Sequence, residues 1–408
     1  MSPILRKVAI AAAVVVLLIV AYFLSTAQAH RNYVDTTGKL LLLTNGDPKT
    51  DPDAKSHIWL VSADGTSKTA LTKGAETNYD PSFSPDGSMV TFISDRTGTP
   101  QVWIMNSDGS QPEALTMGSE SKSKPRFSPD GKEIGYISRG TLTVVELQSR
   151  NNHLLLPIPH ESSGSEDTSA QKRDPVVDFA WSPVSGKDGM AIAAVQEGDD
   201  GGQHLTLVKG EETPPVDVAK GTAISPAWSP DGTRMYVTII GATGVRPPAN
   251  VIDRLPPGRT LLPLPPQSPP SAIFTFGSDG SIDSQLPLMA ASKSETGGAQ
   301  HPSVSADGSL IAFEVWPSIN TDISKITLIS SVTASTGAPG PLQLKGPLAR
   351  LRFSVDGDQI AFTAPVKGKP GIRDLITLKS GSQNLVNITK GEMNALQYEW
   401  SPAKPKTK

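Results

Sequence analysis

Seven polar residues of differing chemistry recur at one place in the sequence: Asp80, Lys124, Asp178, Ser225, His301, Arg350 and Gln397. Each stands four residues ahead of the serine in a repeated short phrase. Two carboxylates could exchange protons, the cations could hold anions, and the imidazole could do either. The formal charges of Asp80 and Asp178 cancel those of Lys124 and Arg350, which argues against a dedicated cation site, since that would gather carboxylates and exclude Lys and Arg. Positions that maintain a repeat fold tend to look alike, so a set that is polar everywhere yet different everywhere suits a ligand-facing surface. Two readings follow: a site for a mixed-charge peptide segment or loop of another protein, or a wet channel that tolerates any polar residue.

Other chemistry is thinly represented. No G-x-S-x-G elbow occurs, so a serine-hydrolase domain is not indicated. His57, His153, His160, His204 and His301 are scattered without H-E-x-x-H spacing. A glycosidase needs two carboxylates roughly 5–10 Å apart, and Asp80 and Asp178, on non-adjacent repeats, could face one another across a channel. A channel-site hydrolase of glycosidase or lactonase type is therefore the alternative to a non-catalytic binding module. No cofactor is expected.

The phrase that carries these positions is a large apolar residue followed by Ser-Pro-Asp-Gly or a worn version of it. It reads Phe83-Ser84-Pro85-Asp86-Gly87, Phe127-Ser128-Pro129-Asp130-Gly131, Trp181-Ser182-Pro183, Trp228-Ser229-Pro230-Asp231-Gly232, Val304-Ser305-Ala306-Asp307-Gly308, Phe353-Ser354-Val355-Asp356-Gly357 and Trp400-Ser401-Pro402. Serine to serine, the gaps are 44, 54, 47, 76, 49 and 47 residues. A propeller blade of four strands and its turns takes roughly 40–50 residues. Pro presets φ for a turn, Asp bonds back to the backbone and Gly takes positive φ. The aspartates of the phrase thus recur for turn geometry and are not site candidates. Strand-like runs follow the five turns that keep Asp-Gly, and second Asp-Gly hairpins come after His57–Ala63, Gln101–Ser107 and Ile273–Ser278.

The seventh phrase has no strands after it. Leu40–Thr44, 57–65 and 68–72 read as strands two to four of a blade whose first strand is Leu396–Trp400. Closing a ring this way removes free sheet edges. The expected fold is an all-β, seven-bladed propeller of four-stranded antiparallel blades over residues 39–402, with six blades the alternative if the degenerate third unit is not a blade. The polar set would then begin the innermost strands at the channel mouth. Trp59, Trp103, Trp181, Trp228 and Trp400 are expected in the core.

The pattern F-S-P-D-G … I-x-F-x-S … I-W-x-x-x-x-D-G … L-T resembles the TolB-type, WD-like β-propeller family. It is carried best by residues 79–131, with Ser94-Asp95-Arg96 and the Trp59 and Trp103 positions, and weakens over 140–220 and 241–300. The resemblance implies the fold. It leaves function open, because the same repeat occurs in exported binding proteins and in propeller domains of serine peptidases. TolB carries an α/β domain ahead of its propeller, whereas only residues 1–38 precede the first strand expected here. TolB's own membrane-complex partners are therefore not carried over.

Net charge is −3, which gives no global attraction to nucleic acid or anionic lipid. There is no cysteine, which excludes disulfides, a lipidated Cys anchor and thiol catalysis. Arg6 and Lys7 precede an uncharged, mostly apolar run from Val8 to Leu24. As a hydrophobic helix it would be about 25 Å long, between a signal-peptide core and a bilayer span. Ala27-Gln28-Ala29 has the form of a cleavage site. Residues 1–29 therefore read as a signal peptide or a signal anchor, and 30–38 as a linker. Both place the propeller on the periplasmic or extracellular side of the bacterial cytoplasmic membrane, the anchor having its N-terminus inside. Membrane contact would come only through residues 8–24, if uncleaved. Residues 160–174 and 246–270 read as loop insertions, the second carrying nine prolines and open to docking a partner, and 403–408 as a basic tail. The expected partner is an envelope protein or peptide segment, met by a monomeric propeller.

Overall fold

The computed structural model of the chain describes residues 36–45, 55–156, 174–186, 189–198, 202–209, 215–219, 222–240, 271–281, 299–315, 323–330, 342–345, 349–379 and 384–402. The expected N-terminal hydrophobic helix, the linker up to 35, both loop insertions apart from Asp174, and all of the tail lie outside these residues. Among the described residues no helix is long and apolar enough to cross a membrane. The molecule is an all-β propeller.

Among the described residues the strands pair into seven antiparallel sheets. Six have four strands, and the sheet of Thr222–Trp228, Arg234–Ile240 and Ser271–Gly277 has three among the described residues. The degenerate third phrase lies in a four-stranded sheet that opens with Val176–Gly186 and Gly189–Glu197. The two chain ends share one sheet: Asn394–Trp400 pairs with Lys39–Asn45, which pairs with His57–Ser62 and then Lys68–Ala70. Leu40 faces Trp400 across this ladder and Leu43 faces Gln397. On its flanks, Asn394–Trp400 touches the innermost strands Ala349–Phe353 and Asn78–Phe83.

Alternation along the strands builds the core between sheets. Leu40 and Leu42 pack with Ala361, Leu375 and Ile388 of the preceding sheet. Their neighbours Leu41 and Leu43 point the other way, against Phe83, Val90 and Phe92 of the next. A strand buried on both faces reads as a continuous apolar run, which explains Leu40-Leu41-Leu42-Leu43. The tryptophans of the repeat serve the same joints. Trp181, Trp228 and Trp400 each donate Nε1–H to a carbonyl of the preceding innermost strand, on Arg126, Ala180 and Arg352, at 3.2, 3.3 and 3.2 Å. Trp400 is buried, and Trp59, Trp103, Trp181 and Trp228 are partly buried against the clusters.

The repeated turns behave as their chemistry dictates. In the first, Ser84 Oγ donates to Asp86 Oδ1 at 2.6 Å and accepts from Met89 N at 2.9 Å, while Ser88 N donates to Asp86 Oδ1 at 3.0 Å. The same Ser–Asp bond recurs at Asp130, Asp231, Asp307 and Asp356. Gly87 sits at φ 70° and the turn packs on its neighbour: a Cβ there would lie 3.4 Å from Pro402 Cγ. A Cβ at Gly131 would likewise meet Pro85, and one at Gly308 would meet Pro230. These turns thus rest on the turns before them, and the first rests on the last.

Candidate functional site

The innermost strands carry an irregularity that sets the site. Their pairing with the second strand slips between Tyr79 and Ser82, Ser123 and Arg126, Ile224 and Ala227, Gln300 and Ser303, and Ala349 and Arg352. Two residues are bulged at each slip, and the first is the polar residue singled out from the sequence. Asp80, Lys124, Ser225, His301 and Arg350 all have left-handed backbones, with φ of 51°, 50°, 53°, 54° and 59°. The second bulged residue is Pro81, Pro125, Pro226 or Pro302, or Leu351 in one copy. Proline cannot donate a ladder hydrogen bond and therefore belongs at a bulge. The other two copies solve the problem one residue earlier. Asp178 and Gln397 pair regularly, and Val177 and Leu396 are skipped instead.

All seven residues line one cavity of about 520 Å3. Neighbouring repeats are stitched together there. Asp80 Oδ2 accepts from Lys124 N at 3.0 Å, and Asp80 Oδ1 accepts from Gln397 Nε2 at 2.6 Å. Lys124 Nζ lies 3.2 Å from Asp178 Oδ1. His301 Nδ1 lies 3.1 Å from Glu314 Oε2, and Glu314 is fully buried.

Two residues further along the same strands lies a second layer that the sequence reading passed over. Arg126, Arg352 and Glu399 line both this cavity and a contiguous one of about 380 Å3 that runs toward the repeated turns at Pro85, Val355 and Pro402. Alternation was the available signal, since residues two apart share a face. Arg126 Nη2 reaches Asp178 Oδ1 at 3.4 Å, and its buried Nε has no hydrogen-bond partner. Arg352 Nη1 donates only to backbone, to Leu351 O at 3.1 Å and Pro302 O at 3.4 Å. Glu399 Oε1 accepts from Ser82 Oγ at 3.3 Å. The Tyr398 hydroxyl lies against the carbonyls of Arg350 and Ala361.

The channel drives these groups apart in acidity. Burial opposes ionisation of Asp178, yet Arg126 and Lys124 hold its carboxyl below the usual range. Burial outweighs the attraction of Arg126 and Arg352 at Glu399, whose carboxyl is pushed up to about 7. Burial also lowers the pKa of Arg350 and Arg352; Asp80 and Tyr398 oppose this at Arg350 and Tyr398 at Arg352, while Arg126 adds repulsion at both and Arg350 adds it at Arg352.

Residues 49–169 match the TolB β-propeller domain family. Curated proteins include no significant match to the sequence. Among solved structures, an oligogalacturonate lyase in complex with manganese is 14% identical with a TM-score of 0.54, over 86% of this chain and 85% of its own. A Bacteroides fragilis protein provisionally named a 6-phosphogluconolactonase is 14% identical with a TM-score of 0.53, over 90% of this chain and 100% of its own. TolB from Acinetobacter baumannii is 13% identical over 76% of this chain and 66% of its own, with a TM-score of 0.45. At these identities the likeness is one of fold. The donor set of this channel does not fit manganese. Among the described residues no three or more His, Asp or Glu are grouped to hold a metal ion, and the mouth carboxylates are taken up by Lys124, Arg126 and Gln397.

Proposed function

We propose that this chain, whose residues 49–169 belong to the TolB β-propeller domain family, is an exported seven-bladed propeller that binds a segment of another envelope protein at its channel mouth. The observation that carries the reading is the set of five left-handed backbones facing one cavity. A non-glycine residue in that conformation costs roughly 1–2 kcal/mol. If the bulge alone dictated the residue, glycine, asparagine, aspartate or histidine would serve at every copy. The chain instead places Lys124, Ser225 and Arg350 at three of the five. Strained positions cluster at ligand clamps, where the surrounding structure holds them. Side chains of both signs, held at a fixed spacing around a concave opening, suit a mixed-charge segment.

The test replaces Asp80, Lys124, His301 and Arg350 together with alanine. The variant should still melt cooperatively, at a lower temperature, and should lose the envelope proteins that the wild-type chain retains in a pull-down from the native host. Retention of the same proteins by the variant would move the site elsewhere.

The second reading is a channel-site hydrolase, and Glu399 favours it. A carboxyl pushed up to about 7 that lines the same cavity as an ionised Asp178 is the arrangement from which acid and base roles are drawn. Glu399→Gln would then abolish turnover of a glycoside or lactone while leaving capture intact.

A further inference from the structure

The charges inside the channel do not balance once the hydrogen bonds are assigned. Asp178 is shared by Lys124 and Arg126. Asp80 takes its hydrogen bonds from neutral donors, the Lys124 backbone and the Gln397 amide, and its charge attracts Arg350 without pairing with it. Glu314 faces His301. Arg350 has no side-chain hydrogen bond or ion pair among the described residues, Arg352 bonds only to carbonyls, and Arg126 keeps one buried N–H unpaired. Arg350 and Arg352 are open to water and both line this cavity. Glu399 is the one remaining carboxylate of the cavity lining, and burial weakens its ionisation.

We infer that Arg350 and Arg352, supported by Arg126, form a carboxylate-binding site in the channel cavity, which receives an acidic side chain of an inserted peptide segment. Guanidinium matches carboxylate through paired, parallel N–H···O bonds. Three guanidiniums that repel one another in a partly dehydrated space gain most from an incoming anion, because it relieves their mutual repulsion as well as pairing with them. The inference deepens the proposed binding function by naming the chemical group of the segment that the channel holds, and it rests on that reading.

The probe is acetyl-Gly-Glu-Gly-amide, titrated calorimetrically into the folded chain, with acetyl-Gly-Gln-Gly-amide, Gly-Gly-Gly free acid and inorganic phosphate as comparisons. The glutamyl peptide should bind saturably and the glutaminyl peptide at least about tenfold more weakly, as expected for a lost charge-assisted bond. Arg352→Gln should weaken the glutamyl peptide by a similar factor. Asp178→Asn, which releases Arg126 and Lys124, should tighten it, and this variant removes no guanidinium. Tighter binding of phosphate or of the free acid than of the glutamyl peptide would overturn the assignment to a side-chain carboxylate. Equal binding of the glutamyl and glutaminyl peptides, or no effect of either substitution, would overturn the site. Those outcomes leave partner capture by the mouth residues standing, so the two ideas fail separately.

Discussion

Gln397 donates its side-chain amide to Asp80 at 2.6 Å, although 317 residues separate them. The other oxygen of Asp80 accepts the backbone N–H of Lys124 at 3.0 Å. One carboxylate therefore ties the last innermost strand to the first and the first to the second. Asp80→Ala removes both bonds and leaves a half-buried amide and a backbone N–H in search of water. The expected loss is about 1–3 kcal/mol, read as a lower urea midpoint with an unchanged slope. Gln397→Ala removes one of the two bonds and should lose less.

Closure also depends on Trp400. It is buried between the first and last sheets, with its indole N–H on Arg352 O at 3.2 Å. Trp400→Ala opens a cavity at the joint where the chain ends meet and should cost about 3–5 kcal/mol. Trp228→Ala, at an internal joint of similar design, provides the comparison. If the end joint is the weak point of the ring, hydrogen exchange in Lys39–Asn45 should accelerate in the Trp400 variant and stay unchanged in the Trp228 variant.

The left-handed positions make a prediction of opposite sign. Ser225 stands at φ 53° and no hydrogen bond of its side chain is seen among the described residues. Ser225→Gly should therefore stabilise the protein, by up to about 1 kcal/mol, because glycine reaches this conformation without the Cβ clash. Asp178 occupies the equivalent place without positive φ and holds Lys124 and Arg126. Asp178→Gly should destabilise. A pair of thermal melts decides both.

The repeat was legible in the sequence because one constraint, the Ser-Pro-Asp-Gly turn, acts at nearly every copy and leaves little choice of residue. The polar ring was legible for the opposite reason, since its residues vary at a fixed offset. The bulge beneath it was not read, although Pro81, Pro125, Pro226 and Pro302 announce a break in the ladder. Asp178 and Gln397 reach the same cavity with Phe179 and Tyr398 in place of the proline, so the offset held while the backbone solution differed. Arg126, Arg352 and Glu399 escaped notice because the same offset holds Ser82, Ala180, Ala227 and Ser303 in the other copies. A position that is mostly small looks like a packing constraint, and three charged exceptions on it are visible as a group only once the ring brings them together.

Glu399 gives the channel a pH dependence whose sign can be worked out. Its carboxyl ordinarily titrates at 4.5 and is pushed up to about 7 in the folded protein. Between those values the folded state binds more protons than the unfolded state, so stability falls as pH rises. The contribution is complete below 4.5 and is lost as pH climbs through about 7. Asp178 works in the reverse sense: its carboxyl is held below the ordinary 3.8, so its contribution is present above that value and lost only in stronger acid. The two windows do not overlap, which isolates Glu399 near neutrality. Glu399→Gln should flatten the stability profile between pH 5 and 8 and make the variant more resistant than the wild type at the alkaline end. An unchanged slope in that range would mean that Arg126 and Arg352 keep Glu399 ionised throughout, and that the channel carries one more negative charge at neutral pH than the profile assumes.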